Sequence, residues 1–347
     1  MPFNVGGTSY IDANLSFSMA NLYITDISKV IVRSQAQGDT TGFYAGGATN
    51  STAGIRTDIE NFPFASPFTN STQVGDLSST TYKNRGTSSS TTGYSSGGNG
   101  TQPDTVTLTI TSFPFAISGG ISTDVGVLSA NSTEGGSSSS TTSGYQTAGT
   151  STATGTTGTT NAQQFPFSAP FVSASVNTLS LSRRVHASYS SDNNGYLSGG
   201  LVSTSYRYAV ESFPFAAPFA SSTTIGQEGA STTGKDRATG INSKYYGYSC
   251  CGFTGSPGAT ATTSIVMFPF VAPFASSATG PGTLGSAHGT ATGISGYANG
   301  YVAGGSPATT GGSSTSSIGT MQFSTALTSD TIGNLTANEW NGAGMQV

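Results

Sequence analysis

Gly195-Tyr196-Leu197-Ser198-Gly199-Gly200 decides the reading of this chain, because it is one of six copies. The others are Gly42-Phe43-Tyr44-Ala45-Gly46-Gly47, Gly93-Tyr94-Ser95-Ser96-Gly97-Gly98, Gly144-Tyr145-Gln146-Thr147-Ala148-Gly149, Gly247-Tyr248-Ser249-Cys250-Cys251-Gly252 and Gly300-Tyr301-Val302-Ala303-Gly304-Gly305. The closing glycines Gly47, Gly98, Gly149, Gly200, Gly252 and Gly305 are spaced by 51, 51, 51, 52 and 53 residues. A glycine-rich chain does not keep such a register by chance, and a fixed period of this size is the signature of a repeat architecture.

A second motif interleaves with the first. Phe62-Pro63-Phe64 recurs as Phe113-Pro114-Phe115, Phe165-Pro166-Phe167, Phe213-Pro214-Phe215 and Phe268-Pro269-Phe270, and in degenerate form as Met321-Gln322-Phe323. Three residues before each copy stands a small or aliphatic residue: Ile59, Ile110, Ala162, Val210, Ile265 and Ile318. About ten residues after it come Val74-Gly75-Asp76-Leu77, Val125-Gly126-Val127-Leu128 and Ile332-Gly333-Asn334-Leu335. This Val-Gly-x-Leu reads as a turn signal, and Asn177, in the place of its glycine, tolerates the same positive φ.

Each unit therefore predicts four short strands: the aliphatic-to-FPF run, the Val-Gly-x-Leu segment, a Ser/Thr-rich stretch and the Gly-aromatic segment, separated by turn residues. Proline cannot donate to a ladder, so the middle of FPF belongs at a strand end, an edge or a bulge. Apolar side chains at both parities, Ile59 with Phe62 and Phe64, imply sheets covered on both faces. The double glycine reads as shaping a turn or a crowded inner strand; a phosphate cradle would need a following helix with Lys-Ser/Thr.

The composition sets bounds on function. Charged residues are 7% of the 347, hydrophobic residues 34% and aromatics 10%, with 48 glycines and a net charge of −4. The recurring aromatics argue against a disordered low-complexity chain. Without a basic run, nucleic acid has no electrostatic footing. No stretch reaches a membrane span, so no membrane insertion is expected, and Met1-Pro2-Phe3-Asn4 does not open a signal peptide. The adjacent Cys250 and Cys251 are expected to be reduced, since a disulfide between neighbours is strained.

A four-stranded unit of about fifty residues is the size of a propeller blade. The double glycines Gly97-Gly98, Gly199-Gly200 and Gly304-Gly305, the aromatic FPF strand and a basic phase at Arg33, Arg85, His186, Arg237 and His288 resemble the kelch repeat. The kelch Trp is missing, the single Trp340 lying elsewhere. The FPFA, Gly-x-Leu and GYxSGG combination resembles kelch-like repeats of marine bacteriophages, cyanophages especially. The expected fold is all-β: a six-bladed kelch-like β-propeller of four-stranded blades, its ring closed by strands from both termini. The propeller would span 21–336, with an N-terminal arm or first strand at 1–20 as a docking segment and a C-terminal tail at 337–347. A seventh blade lacks a seventh Gly-aromatic motif; a β-solenoid is the alternative fold, though its coils are shorter.

The residues expected to build the ring are the six closing glycines, then Phe43, Tyr94, Tyr145, Tyr196, Tyr248 and Tyr301, and Phe64, Phe115, Phe167, Phe215, Phe270 and Phe323. Catalytic, metal and cofactor residues are expected to be none. His186 and His288 occupy similar phases without a third ligand, and no paired carboxylates stand at an informative spacing. Asp124, Asp236 and Asp330 mark no triad. Arg33, Arg85, Arg183, Arg184 and Arg237 read as strand-edge charge, with an anion- or sugar-binding rim as the lesser reading.

What the phage resemblance implies is a non-enzymatic virion structural protein: a tail, fibre or capsid-surface component present in several copies, contacting other virion proteins and a host-surface glycan. A bacterial carbohydrate-binding or adhesive surface propeller is the alternative, and a lyase or oxidase on the same scaffold is third, since fold does not imply function.

Overall fold

A computed structural model describes residues 37–49, 54–100, 105–217, 219–228, 234–254, 260–271, 278–307, 314–323 and 329–347. Among them there is no helix; six small antiparallel sheets make a six-bladed β-propeller. Blade 2 shows the pattern, from the axis outward: Arg85–Ser88, Thr92–Ser96, Thr109–Pro114 and Thr123–Val127. The inner strands of blades 3 to 6 are Gly136–Ser139, Ala187–Ser190, Thr239–Asn242 and Thr292–Ser295. The expected unit began at the FPF strand. It therefore straddles two blades, because the Ser/Thr-rich strand that follows an outer strand crosses to the axis and starts the next sheet.

Closure occurs in blade 1. Its second, third and outer strands are Thr41–Ala45, Asp58–Pro63 and Thr72–Asp76. Its inner strand is Ala343–Gln346, paired antiparallel from Gly42↔Gln346 to Ala45↔Ala343. The segment 337–347 is thus no tail: it ends the outer strand of blade 6 and supplies the inner strand of blade 1. Met345 is fully buried and packs in one cluster with Phe43 and Phe113, and that apolar burial is what holds the segment in the ring. The expected arm at 1–20 and Arg33 lie outside the described residues.

The Val-Gly-x-Leu segment is not a turn. Asp58 pairs with Asp76 and Ile59 with Gly75, but Glu60 pairs with Gln73, so Val74 is an extra residue in the outer strand. Blades 2 and 4 shift register at the corresponding place. Such a β-bulge bends a strand and increases its twist. The backbone there does not take positive φ, and Asn177 does not either. Small residues serve close approach instead: a Cβ on Gly126 would sit 2.5 Å from the Phe171 carbonyl oxygen of blade 3.

The aromatic motifs join neighbouring blades. Tyr94 of blade 2 stacks on Phe167 of blade 3 at 4.7 Å, Tyr145 on Phe215 at 4.6 Å, Tyr196 on Phe270 at 4.6 Å, Tyr248 on Phe323 at 5.1 Å and Tyr301 on Phe64 at 4.5 Å. Phe43 meets Phe115 tilted at 4.9 Å. The hydroxyls of Tyr94, Tyr145, Tyr196 and Tyr301 donate to the backbone carbonyls of the Phe residues they stack on, at 2.9 to 3.2 Å. Each such clamp combines aromatic burial with a partner for the one polar atom it buries. Proline closes the third strand, where its missing N–H leaves no ladder bond unmade.

The double glycine ends the second strand with two successive residues at positive φ. The first has φ from 51° to 67° and accepts Ala148 and Cys251; the second has φ from 91° to 105° and is glycine in all six copies. The second value lies beyond the left-handed region that a Cβ-bearing residue enters, which explains the asymmetry of the motif.

Candidate functional site: the axial channel and the charged blade interfaces

The six inner strands surround an axial channel with an open volume of ≈ 120 Å³. The second residue of each is Gly86, Ser137, Ser188, Gly240, Gly293 or Gly344. A Cβ on Gly240 would overlap the Ser188 carbonyl of blade 4, and one on Gly344 would come within 2.6 Å of the Gly293 carbonyl oxygen. Where serine stands instead, the Ser137 hydroxyl donates to the Gly86 carbonyl at 2.8 Å.

Hydrogen bonds run around the axis at both ends of the channel. At one end Lys83, Glu134, Val185, Arg237, Thr290 and Asn341 all have φ between 50° and 58°. The N–H groups of Lys83, Asn341, Thr290, Arg237 and Val185 donate to the carbonyls of Asn341, Thr290, Arg237, Val185 and Glu134, at 2.7 to 3.0 Å. At the other end, the N–H of Ser88 donates to Ser139 Oγ at 3.1 Å, Ser139 to Ser190 Oγ at 2.9 Å, Asn242 to Ser295 Oγ at 3.0 Å, Ser295 to Gln346 Oε1 at 3.5 Å and Gln346 to Ser88 Oγ at 3.1 Å. The serines and amides of the Ser/Thr-rich strands are therefore ring ligands for backbone donors that would otherwise be orphaned.

The channel wall carries few ionisable groups. His186 is buried, its Nε2 3.2 Å from Thr147 Oγ1 and its Nδ1 without a hydrogen-bond partner. Burial, with the nearby Arg183 and Arg85 charges, holds it well below the ordinary histidine range, so it is neutral at pH 7. Burial lowers Arg85 to about 10 against the opposing pull of Glu134; its guanidinium donates to the Gly135 and Asn84 carbonyls. Arg237 pairs with Asp236 at 3.0 Å. Among the described residues, no carboxylate lines the channel beside the histidine. The wall offers hydroxyls, amides and guanidinium donors, which suit a neutral or anionic polar group better than proton transfer.

The two histidines are not in one phase. His186 follows the left-handed residue of its blade, Val185, whereas His288 precedes its own, Thr290, by two. Unequal loops, giving 52 and 53 residues in place of 51, create the apparent match. Arg85 and Arg237 line the channel, but Arg183 and Arg184 do not. Arg183 is fully buried against Glu211, and Arg184 pairs with Glu134 at 2.8 Å beside Lys83 at 2.9 Å. Cys250 and Cys251 are unbonded and buried, which pushes both thiols up, Cys251 to about 11.

Sequence reasoning missed a second cluster. Asp58 and Glu60, two apart on one strand and so on one face, meet Glu339 across the interface of blades 1 and 6. One oxygen of each carboxylate lies within 4.8 Å of the others. Glu60 accepts from Ser71 Oγ, from the Thr336 hydroxyl and from the Thr336 N–H at 2.9 Å. Arg56 pairs with Asp58 and lies 3.1 Å from Glu339 Oε1. Burial, with Glu60 adding to it and Arg56 opposing, pushes Glu339 up to about 8. The separation of 279 positions between Glu60 and Glu339 hides this cluster from any reading by spacing.

An all-β ring with an axial channel and blades clamped by aromatic pairs places the chain in the class of six-bladed β-propellers. The chain is similar to the solved structure described as "Structure of YjhT", also a propeller, with a TM-score of 0.63 and 10% sequence identity over 86% of this chain and 98% of that one. No protein-family model matches the chain, and no curated protein does.

Proposed function

We propose that this chain is a non-enzymatic propeller of a virus particle, a tail, fibre or capsid-surface component that works by holding other proteins. The observation that carries this is the outer rim. Ile121, Val127, Val172 and Val271 are 72%, 61%, 68% and 71% exposed, whereas the other Val, Leu and Ile side chains among the described residues are buried or half-buried. Three of them lie on adjoining blades: Val127 bridges Val172 in parallel, and Ile121 sits on a two-residue strand added parallel to the outer strand of blade 1. Exposed aliphatics grouped on one edge suit a protein neighbour. The resemblance of the repeat to kelch-like phage propellers supports the virion setting, and the hydroxyl-lined channel mouths are suited to a host glycan.

Mass spectrometry of purified particles tests the reading, with the chain expected in stoichiometric amounts. Its absence from particles that assemble and infect would end the proposal. Ile121→Asp and Val172→Asp are expected to leave the isolated propeller folded and to remove it from particles.

A further inference from the structure

We propose that Asp58, Glu60 and Glu339 form a binding site for a hard divalent cation, Ca²⁺ in particular, at the interface where blade 6 meets blade 1. The argument begins with a comparison inside the molecule. Thr81, Ser132, Arg183, Lys235, His288 and Glu339 each stand two residues before the left-handed residue of a blade, so they are equivalent positions in the repeat. All six are buried. At two of these interfaces the place holds a positive charge. Arg183 Nη1 donates to the Ala209 and Gly199 carbonyls, both at 3.0 Å, while its Nη2 pairs with Glu211. Lys235 Nζ donates to the Ser249 carbonyl at 3.0 Å and the Ser264 carbonyl at 3.2 Å. Ala209 and Ser264 each precede the buried aliphatic of their third strand, as Asp58 precedes Ile59.

The blade 6–1 interface repeats the blade 3–4 interface nearly group for group. Glu60 stands where Glu211 stands, Ser71 where Ser222 donates to Glu211, and the Thr336 N–H where the Ser180 N–H donates at 3.0 Å. Arg56 corresponds to Arg207; their N–H groups donate to the matching glycines, Gly47 at 2.9 Å and Gly200 at 2.8 Å. One exchange breaks the match: where Arg183 brings a guanidinium, Glu339 brings a carboxylate, and Asp58 adds another. Three carboxylates then face one guanidinium. Glu339 is fully buried; Arg56 Nε lies 3.1 Å from its Oε1, its Oε2 has neither a hydrogen-bond nor an ion-pair partner, and Asp58 Oδ2 has only the Arg56 guanidinium. A buried carboxylate left in this state is costly unless a charge meets it.

The geometry suits calcium. Ca²⁺ binds oxygens at about 2.3–2.6 Å, so two oxygens on one ion lie up to about 5 Å apart. The three carboxylate oxygens, all within 4.8 Å of one another, meet that condition. An all-oxygen donor set favours a hard cation over zinc or copper. The ion would do for blades 6 and 1 what the Arg183 guanidinium does for blades 3 and 4.

Isothermal titration of the full chain with CaCl₂ after EDTA dialysis tests this, with thermal unfolding followed in parallel. One Ca²⁺ per chain and a rise in melting temperature are expected. Glu339→Gln and Asp58→Asn should each weaken Ca²⁺ binding about tenfold or more. Glu339→Arg copies the Arg183–Glu211 arrangement and should give a folded chain whose melting temperature ignores calcium. If the wild-type chain takes up no Ca²⁺ at about 1 mM, the range of weak extracellular sites, the site is refuted. Uptake that persists unchanged in both Glu339→Gln and Asp58→Asn refutes it equally. Because the wild-type titration decides the first point, a variant that fails to fold does not protect the proposal.

Discussion

The Tyr301 hydroxyl donates to the Phe64 carbonyl at 2.9 Å while the two rings lie stacked 4.5 Å apart, interplanar angle 9°, so the last complete blade is fastened to the first by the same device that joins its predecessors. Tyr301→Phe keeps the stack and removes the hydrogen bond. It should cost about 0.5–1.5 kcal/mol, and more if the Phe64 carbonyl is left dry. Tyr301→Ala should cost about 3–5 kcal/mol. Urea unfolding of both variants checks the order; equal losses would mean that the hydroxyl, not the ring, carries the clamp.

The closing strand should be indispensable. Deleting 343–347 removes the inner strand of blade 1 and uncovers Phe43 and Phe113, which pack with Met345. The truncated chain is expected to lose cooperative unfolding and to aggregate on size exclusion, since it exposes both a strand edge and apolar surface. Met345→Ala, a milder change, should destabilise by about 2–5 kcal/mol.

At the axis, Gly240→Ala places a Cβ on the Ser188 carbonyl. Forcing these strands apart should cost about 1–3 kcal/mol or more. Gly240→Ser should be the milder change, because a hydroxyl can donate to the facing carbonyl as Ser137 does to Gly86. Thermal melts of the pair decide whether the inner ring is limited by space alone.

Arg183→Met leaves Glu211 buried with only Ser180 and Ser222 to meet its charge, and breaking such a pair costs about 3–5 kcal/mol. Adding Glu211→Gln should recover most of that loss. Blade 3 already uses this solution: Gln163 Oε1 accepts from Ser129 Oγ at 2.9 Å and from the Ala130 N–H at 2.8 Å. A double variant no more stable than Arg183→Met would place the role of Arg183 in its carbonyl contacts.

The contribution of His186 to stability should fall on mild acidification. His186 titrates in the unfolded chain near 6.5 but, held down by burial and by Arg183 and Arg85, takes up its proton only well below that in the fold. Between those two values the unfolded chain binds the extra proton, so stability is full above about pH 6.5 and is lost as pH falls towards the folded pKa. His288 is lowered as well, by burial. On going from about pH 7 to 5, the urea midpoint of His186→Gln should fall less, or rise more, than that of the wild-type chain; His288 and, with the opposite sign, Glu339 contribute to both.

Much of the ring was legible because its determinants are local and repeated. The Gly-aromatic register gave the six blades, and the apolar residues at both parities, Ile59 with Phe62 and Phe64, gave sheets buried on two faces. The places where reading failed are those that depend on partners distant in the chain. Val74-Gly75 looks like a turn until its partner strand shows a bulge. Ala343–Gln346 contains two small residues and a lone Met, and its pairing with Thr41–Ala45 leaves no trace in spacing. His186 and His288 shared an apparent phase because loop lengths drift by one or two residues. Glu339 carries no signal of its own in the sequence, because its neighbours Asp58 and Glu60 lie in the first blade. Of the outer-rim aliphatics, Ile121 and Val172 carry no motif, and only the backbone shows that Val172 adjoins Val127 and that Ile121 lies against the outer strand of blade 1.

The closing strand also sets a clock on synthesis. The residues of three strands of blade 1 are complete at residue 76, but its fourth strand is made more than 260 residues later. Throughout that interval the inner edge of Thr41–Ala45 is open, and the blades stacking behind it form an arc rather than a ring. Any partner presenting a short extended segment rich in small residues can compete for that edge while translation runs, including the closing strand of a second nascent chain.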